Sequence, residues 1–117
     1  MRSLEITERK AGRATVLSLT GRLSVDEEPV FKQAVSTLLE AGCVLLVLNL
    51  AAVSMIDSAG LGALVAACVK ARSRHGDVKL VQMTPRNDHA MRITRLDAVF
   101  ERFESEADAV RSFENRP

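Results

Sequence analysis

The chain has 117 residues, 47% hydrophobic and 26% charged, which is one domain's worth of ordinary globular composition. Sixteen Lys and Arg against 15 Asp and Glu leave a formal charge of +1, which disfavours a strongly basic nucleic-acid binder or an acidic tail. Aromatics are only 3%, all Phe, too few rings for a base-stacking platform on single strands.

The opening, MRSLEITERK, is charged throughout and has no signal-peptide apolar region. Leu4 and Ile6 alternate with Glu5 and Thr7, the pattern of a half-buried strand. Ala11-Gly12-Arg13 reads as a turn. Thr15 to Leu19 alternates again, with Val16 as the irregular position, and so short a connection makes the two strands antiparallel neighbours. The outer edge of the first strand is open to pairing. Gly21 starts a loop through Val25. Ser24 and Glu27 have capping-box spacing, but Pro29 favours Asp26 as N-cap, which keeps the proline inside the first helical turn. Phe31, Ala34, Val35, Leu38 and Leu39 mark the buried face of that helix, and Gly42 suits its C′ position.

Val44 to Leu48 is a continuous apolar run, as expected of a strand buried on both faces of a parallel sheet. The uncharged stretch Cys43 to Ile56 is shorter than the roughly 20 apolar residues of a membrane span, so neither membrane insertion nor a location outside the cytoplasm is expected. A loop from Ala51 to Asp57 leads into a helix marked by Leu61, Leu64, Val65, Cys68 and Val69, ending near Gly76. Val78 to Val81 reads as a strand. Pro85 opens a third helix with Ala90, Ile93 and Leu96 on its apolar face, Val99-Phe100 is ambiguous, and Ser105 with Asp108 has N-cap spacing for a last helix. Cys43 and Cys68 are read as reduced packing residues. With no clustered ligands, neither a metal nor a cofactor is expected.

The fold class is therefore α/β: a mixed, mostly parallel sheet of four to five strands with about four helices, in a single domain over 1–113 with a frayed tail at 114–117. In such sheets functional loops gather at the carboxyl ends of parallel strands. Those are Gly21 to Val25 and Ala51 to Asp57, and the second runs into Met55-Ile56-Asp57-Ser58-Ala59-Gly60-Leu61-Gly62. Ser58 falls at a helix start, where free backbone N–H groups and the dipole could meet a phosphoryl group. Each glycine costs roughly 1 kcal/mol of helix propensity. Two of them either let the helix lie close to the sheet or let another protein's backbone approach. A plain capped helix start remains the competing reading. Gly60-x-Gly62 is no dinucleotide fingerprint, since Val65 takes the third glycine position, and no phosphate-binding G-x-x-x-x-G-K-[ST] loop occurs. A serine hydrolase would need a base and an orienter near Ser58, which the sequence does not supply. Met55 is read as core more readily than as contact.

With Gly21-Arg22-Leu23, the apolar run Val44 to Leu50 and the Asp57-Ser58-x-Gly60-Leu61-Gly62 block, the chain resembles STAS domains, specifically stand-alone bacterial anti-sigma-factor antagonists. The resemblance implies a STAS-like fold and a non-enzymatic partner switch. The unmodified protein would bind an anti-sigma factor that is also a serine kinase and so release a sigma factor. Phosphorylation of Ser58 would end that binding, and a phosphatase would reset it. It further implies a contact surface of Arg22, Leu23 and Ser24 with Asp57, Ser58, Ala59, Gly60, Leu61 and Gly62, and no direct contact with nucleic acid. Ser24 and Asn49 stand where relatives often carry acidic residues. The alternative is an accessory subunit of a transport complex or signalling scaffold without a phospho-switch.

Overall fold

In the computed structural model, which describes residues 3–114, the chain runs β1 (Leu4–Ala11), β2 (Ala14–Leu23), α1 (Glu28–Glu40), β3 (Leu45–Ile56), α2 (Ser58–Arg72), β4 (Asp77–Val81), α3 (Pro85–Ile93), a one-turn 3-10 helix (Leu96–Ala98), β5 (Arg102–Phe103) and α4 (Glu106–Glu114). The five strands lie in the order β1-β2-β3-β4-β5. β1 is antiparallel to β2 and every later pair is parallel. Sequential parallel strands joined by right-handed crossovers put all their helices on one side. Accordingly α1, α2 and α3 cover one face over the large core of Leu17, Leu19, Phe31, Leu46, Leu48, Leu64, Leu80 and Met91. Only α4, which follows the last strand, folds onto the other face, over Val16, Val47, Val81, Ala109 and Phe113. Val16 is thus no irregularity: β2 is an inner strand, so both of its faces are buried.

The expected mixed α/β sheet forms, with several boundaries moved. Both inner strands run further than their apolar runs. β2 continues through Gly21, Arg22 and Leu23, and β3 takes in Ala51 to Ile56; both stretches were expected to be loops. They pair with each other, Arg22 opposite Met55 and Leu23 opposite Ile56. Each stretch satisfies the other's backbone groups, so small and polar residues that carry no strand signal of their own are taken into the sheet. α1 is capped at Glu27, not Asp26, and Pro29 sits harmlessly in its first turn. Its other end closes as expected: Gly42, at φ +87°, donates to the Leu39 carbonyl and Cys43 to that of Leu38.

On α3 the expected apolar face is corrected. Asn87 and Met91 point inward, whereas Ile93 is 68% exposed and Leu96 belongs to the 3-10 turn. Strand β5 is Arg102–Phe103 rather than Val99-Phe100. Ser105 Oγ accepts the Asp108 N–H at 3.1 Å, so the last helix starts where expected. Glu114 is the final residue of α4, and its carboxylate accepts the Arg13 N–H of the β1–β2 turn at 2.6 Å. Glu114, expected to open a frayed tail, is thus helical and held, and the rest of that expected tail, 115–117, lies outside the described residues. One buried cation escaped the sequence reading. Lys79 on β4 is enclosed beneath α4, donating to Ser112 Oγ at 2.6 Å and lying 4.3 Å from the centre of the Phe113 ring.

Candidate functional site

The site is built where β2 and β3 end side by side. Asp57 leaves β3, donates its N–H to the Leu23 carbonyl at 3.3 Å, and caps α2 by accepting the Gly60 N–H at 2.9 Å. Its second carboxylate oxygen takes the Val25 N–H at 3.3 Å, so one side chain joins the α2 start to the β2–α1 turn. Ser58 is the first helical residue and is exposed. It therefore stands among N–H groups that have no intrahelical acceptor, at the positive end of the helix dipole.

The two glycines of the motif separate. A Cβ on Gly60 would land inside the Leu23 carbonyl and 2.8 Å from Ile56 Cγ2, so that glycine lets α2 lie against the end of β2. A Cβ on Gly62 would meet nothing within 4 Å, and the residue is exposed. Internal packing explains the first glycine and leaves the second without an internal reason. Gly62 is one turn after Ser58 on the same helical face, and Val65 and Val69 continue that face, Val69 at 60% exposure. Val25, beside Asp57, is 63% exposed.

The expected contact residues are brought together in one place but do not share one surface. Arg22, Ser58 and Gly62 are exposed, and Asp57 and Ala59 are half-buried. Leu23, Ser24, Gly60 and Leu61 are buried in the free domain and lie beneath the exposed surface. Met55 is half-buried on β3. Ser24 closes the β2–α1 turn: its N–H and its hydroxyl both go to one oxygen of Glu27, which is buried, while Arg22 lies 3.8 Å from the other. The Ser24 hydroxyl, with Ser3, holds the Glu27 carboxyl below its usual range. Asn49 lies away from the site and ties β3 to α4 by donating to Glu106 at 2.7 Å.

Asn87 is the positioning residue that the sequence reading missed. β4 pairs with β3 only through Asn49, so the β3 segment leading to Ser58 has no strand on that side. Buried Asn87 substitutes for one. It accepts the Ile56 N–H at 3.2 Å and donates to the Val53 carbonyl at 2.9 Å. An Asn three residues after the capping Thr84 is an unremarkable helix-start residue, and no local signal marks its reach to β3.

Chemistry at Ser58 finds no partner in His75, which lies beyond the far end of α2, roughly 25 Å away along the helix axis. Among the described residues no group of three His, Cys, Asp or Glu could hold a metal ion, and no helix is long and apolar enough to cross a membrane.

The STAS domain model matches residues 5–109. The chain belongs to the STAS domain family. An anti-sigma factor antagonist from Mycobacterium paratuberculosis superposes with a TM-score of 0.87 at 24% identity, covering 97% of this chain and 96% of that one. TM1081 of Thermotoga maritima gives 0.89 at 22% identity over 94% and 95%. The Bacillus cell fate determinant SpoIIAA in its phosphorylated form gives 0.73 at 18% identity over 93% and 99%. Comparison with curated protein sequences gave no match. The STAS fold thus accounts for the whole sheet and its helices.

Proposed function

We infer that this STAS domain is an anti-sigma-factor antagonist, a protein-binding switch rather than an enzyme. It engages an anti-sigma factor with serine kinase activity through the Ser58 end of α2 and is released when Ser58 is phosphorylated. The carrying observation is an exposed hydroxyl at the first position of α2 with a bare, exposed glycine one turn further on. Similar folds in proteins described as anti-sigma factor antagonists, and a SpoIIAA structure in a phosphorylated form, support the reading.

The electrostatics of release follow from the geometry. A phosphoryl group adds about −1.5 to −2 charges. The Asp57 carboxylate is its immediate neighbour and is already committed to the Gly60 and Val25 N–H groups, so it stays in place. A docked partner would have to desolvate both anions together. A shift of about 2.7 kcal/mol changes affinity roughly a hundredfold, which one such group at an interface centre can supply without refolding the domain.

The test combines the chain with an anti-sigma factor kinase and ATP. Phosphate should appear on Ser58 by mass spectrometry and be absent from Ser58→Ala. Ser58→Asp should bind the kinase roughly a hundredfold more weakly. Binding of Ser58→Asp equal to wild type refutes the electrostatic release. Recovery of the chain with a transport ATPase instead of a sigma regulator would support the accessory-subunit reading.

A further inference from the structure

β1 is the outer strand of the sheet, and its free side carries an ordered set of backbone groups. Ser3 accepts the Arg22 N–H at 2.9 Å, and the register Leu4 to Gly21 places this contact one step beyond the ladder. Alternation in an antiparallel ladder then turns the backbone groups of Glu5, Thr7 and Arg9 toward β2 and those of Leu4, Ile6, Glu8 and Lys10 outward. The side chains of Glu5, Thr7 and Arg9 line the α4 face of the strand, where Arg9 is paired with Glu106. Charged edge residues commonly block pairing with other strands. Here their spacing is also self-complementary.

We propose that β1 pairs antiparallel with β1 of a second copy of this chain about a two-fold axis that sets Thr7 opposite Thr7. In that register Glu5 faces Arg9 of the second copy, and Arg9 faces its Glu5, so both ion pairs form from one sequence. Ile6 then lies opposite Glu8 and Leu4 opposite Lys10, all with outward N–H and C=O groups, so each such pair exchanges two backbone hydrogen bonds. The neighbouring registers are worse. Centring on Glu8 sets Glu8 against Glu8, and centring on Ile6 faces Glu5 with Thr7 and loses both ion pairs. Arg9 can serve two carboxylates at once, because its guanidinium has five donors and Glu106 uses only part of the fork. The same register brings Ser3 of the second copy beside a shallow trough next to β1, where Ala11, Ala107 and Val110 lie among the charged Arg9, Glu106, Arg111 and Glu114. This interface is on the opposite edge of β2 from the Ser58 site, so it stands or falls independently of the function inferred above.

Sedimentation velocity over a concentration series tests it. Wild type should shift from monomer to dimer as concentration rises. Glu5→Arg and Arg9→Glu should each weaken the dimer at least about tenfold, because both cross-strand pairs become repulsive. Mixing those two variants should restore a dimer, since each then supplies the charge the other lacks. Glu8→Pro removes an outward N–H and leaves the β1–β2 ladder intact, and it should also remain monomeric, with circular dichroism confirming the fold. A wild type that stays monomeric throughout, or variants that dimerise as wild type does, or a mixture that stays monomeric, overturns the proposal.

Discussion

Replacing each motif glycine by alanine separates what the fold needs from what a partner needs. Gly62 lies inside α2, fully helical, and a Cβ there meets nothing within 4 Å. Gly62→Ala should therefore recover most of the helix-propensity difference, about 0.5–1 kcal/mol. For a domain of this size that raises Tm by roughly 2–6 °C. Gly60→Ala should do the opposite. Its Cβ would overlap the Leu23 carbonyl, which is strand backbone and cannot swing aside, and press at 2.8 Å on Ile56 Cγ2, a methyl of a buried β-branched side chain. Forcing α2 off β2 should cost about 1–3 kcal/mol. Urea titrations with unchanged slope measure both effects. Binding to the partner proposed above then reads the other half. Gly62→Ala, although more stable, should bind at least about tenfold more weakly, because its methyl group occupies the exposed face next to Ser58. If Gly62→Ala is destabilised, or if it binds as tightly as wild type, the claim that this glycine is kept for a partner is refuted.

Two further outcomes test the scaffold around the site. Asn87→Ala leaves the Ile56 N–H and the Val53 carbonyl without their partner in a buried position, and should lower stability by about 2–3 kcal/mol in urea denaturation. A loss below about 0.5 kcal/mol would mean that β3 does not depend on this bridge. Glu27 carries a carboxyl whose pKa lies below the ordinary 4.5, chiefly through the Ser24 hydroxyl. Its ionised form therefore stabilises the fold above that value, and the contribution fades as pH falls through the folded pKa. Glu27→Gln should be less stable than wild type near neutrality, and the gap should narrow as the pH falls below the ordinary carboxylate value and Glu27 takes up a proton in the fold. A gap that is constant with pH would assign Glu27 a role in shape rather than in charge.

How far local sequence reaches is visible in particular residues. The Schellman close at Gly42, the Ser105 cap, the buried run of β3 and the serine at the first position of α2 are all local. Each depends on φ preferences, capping chemistry or hydrophobic period within a few neighbours, and each was legible in the chain. The lengths of β2 and β3 were not. Gly21 and Arg22, or Ala51 and Ala52, carry no strand signal of their own, and become strand because the two segments lie parallel and satisfy each other's backbone groups. The inward turn of Asn87 and the enclosure of Lys79 are likewise set by elements far away in sequence.

By itself, then, the amino-acid order determined the succession of elements, the mixed sheet and the place of Ser58, because those follow from interactions between near neighbours along the chain. Only the tertiary structure decided which motif residues reach solvent. Leu23 and Leu61 went under the surface while Ser58 and Gly62 stayed on it, and Gly60 and Gly62, the same residue type, took opposite surroundings, one pressed on the Leu23 carbonyl and the other facing open space. The reason is steric. Whether a missing side chain makes room for the protein's own backbone or for another molecule depends on what stands a few ångströms away, and in this fold that is the Leu23 carbonyl, brought there by a strand pairing across more than 30 residues of chain.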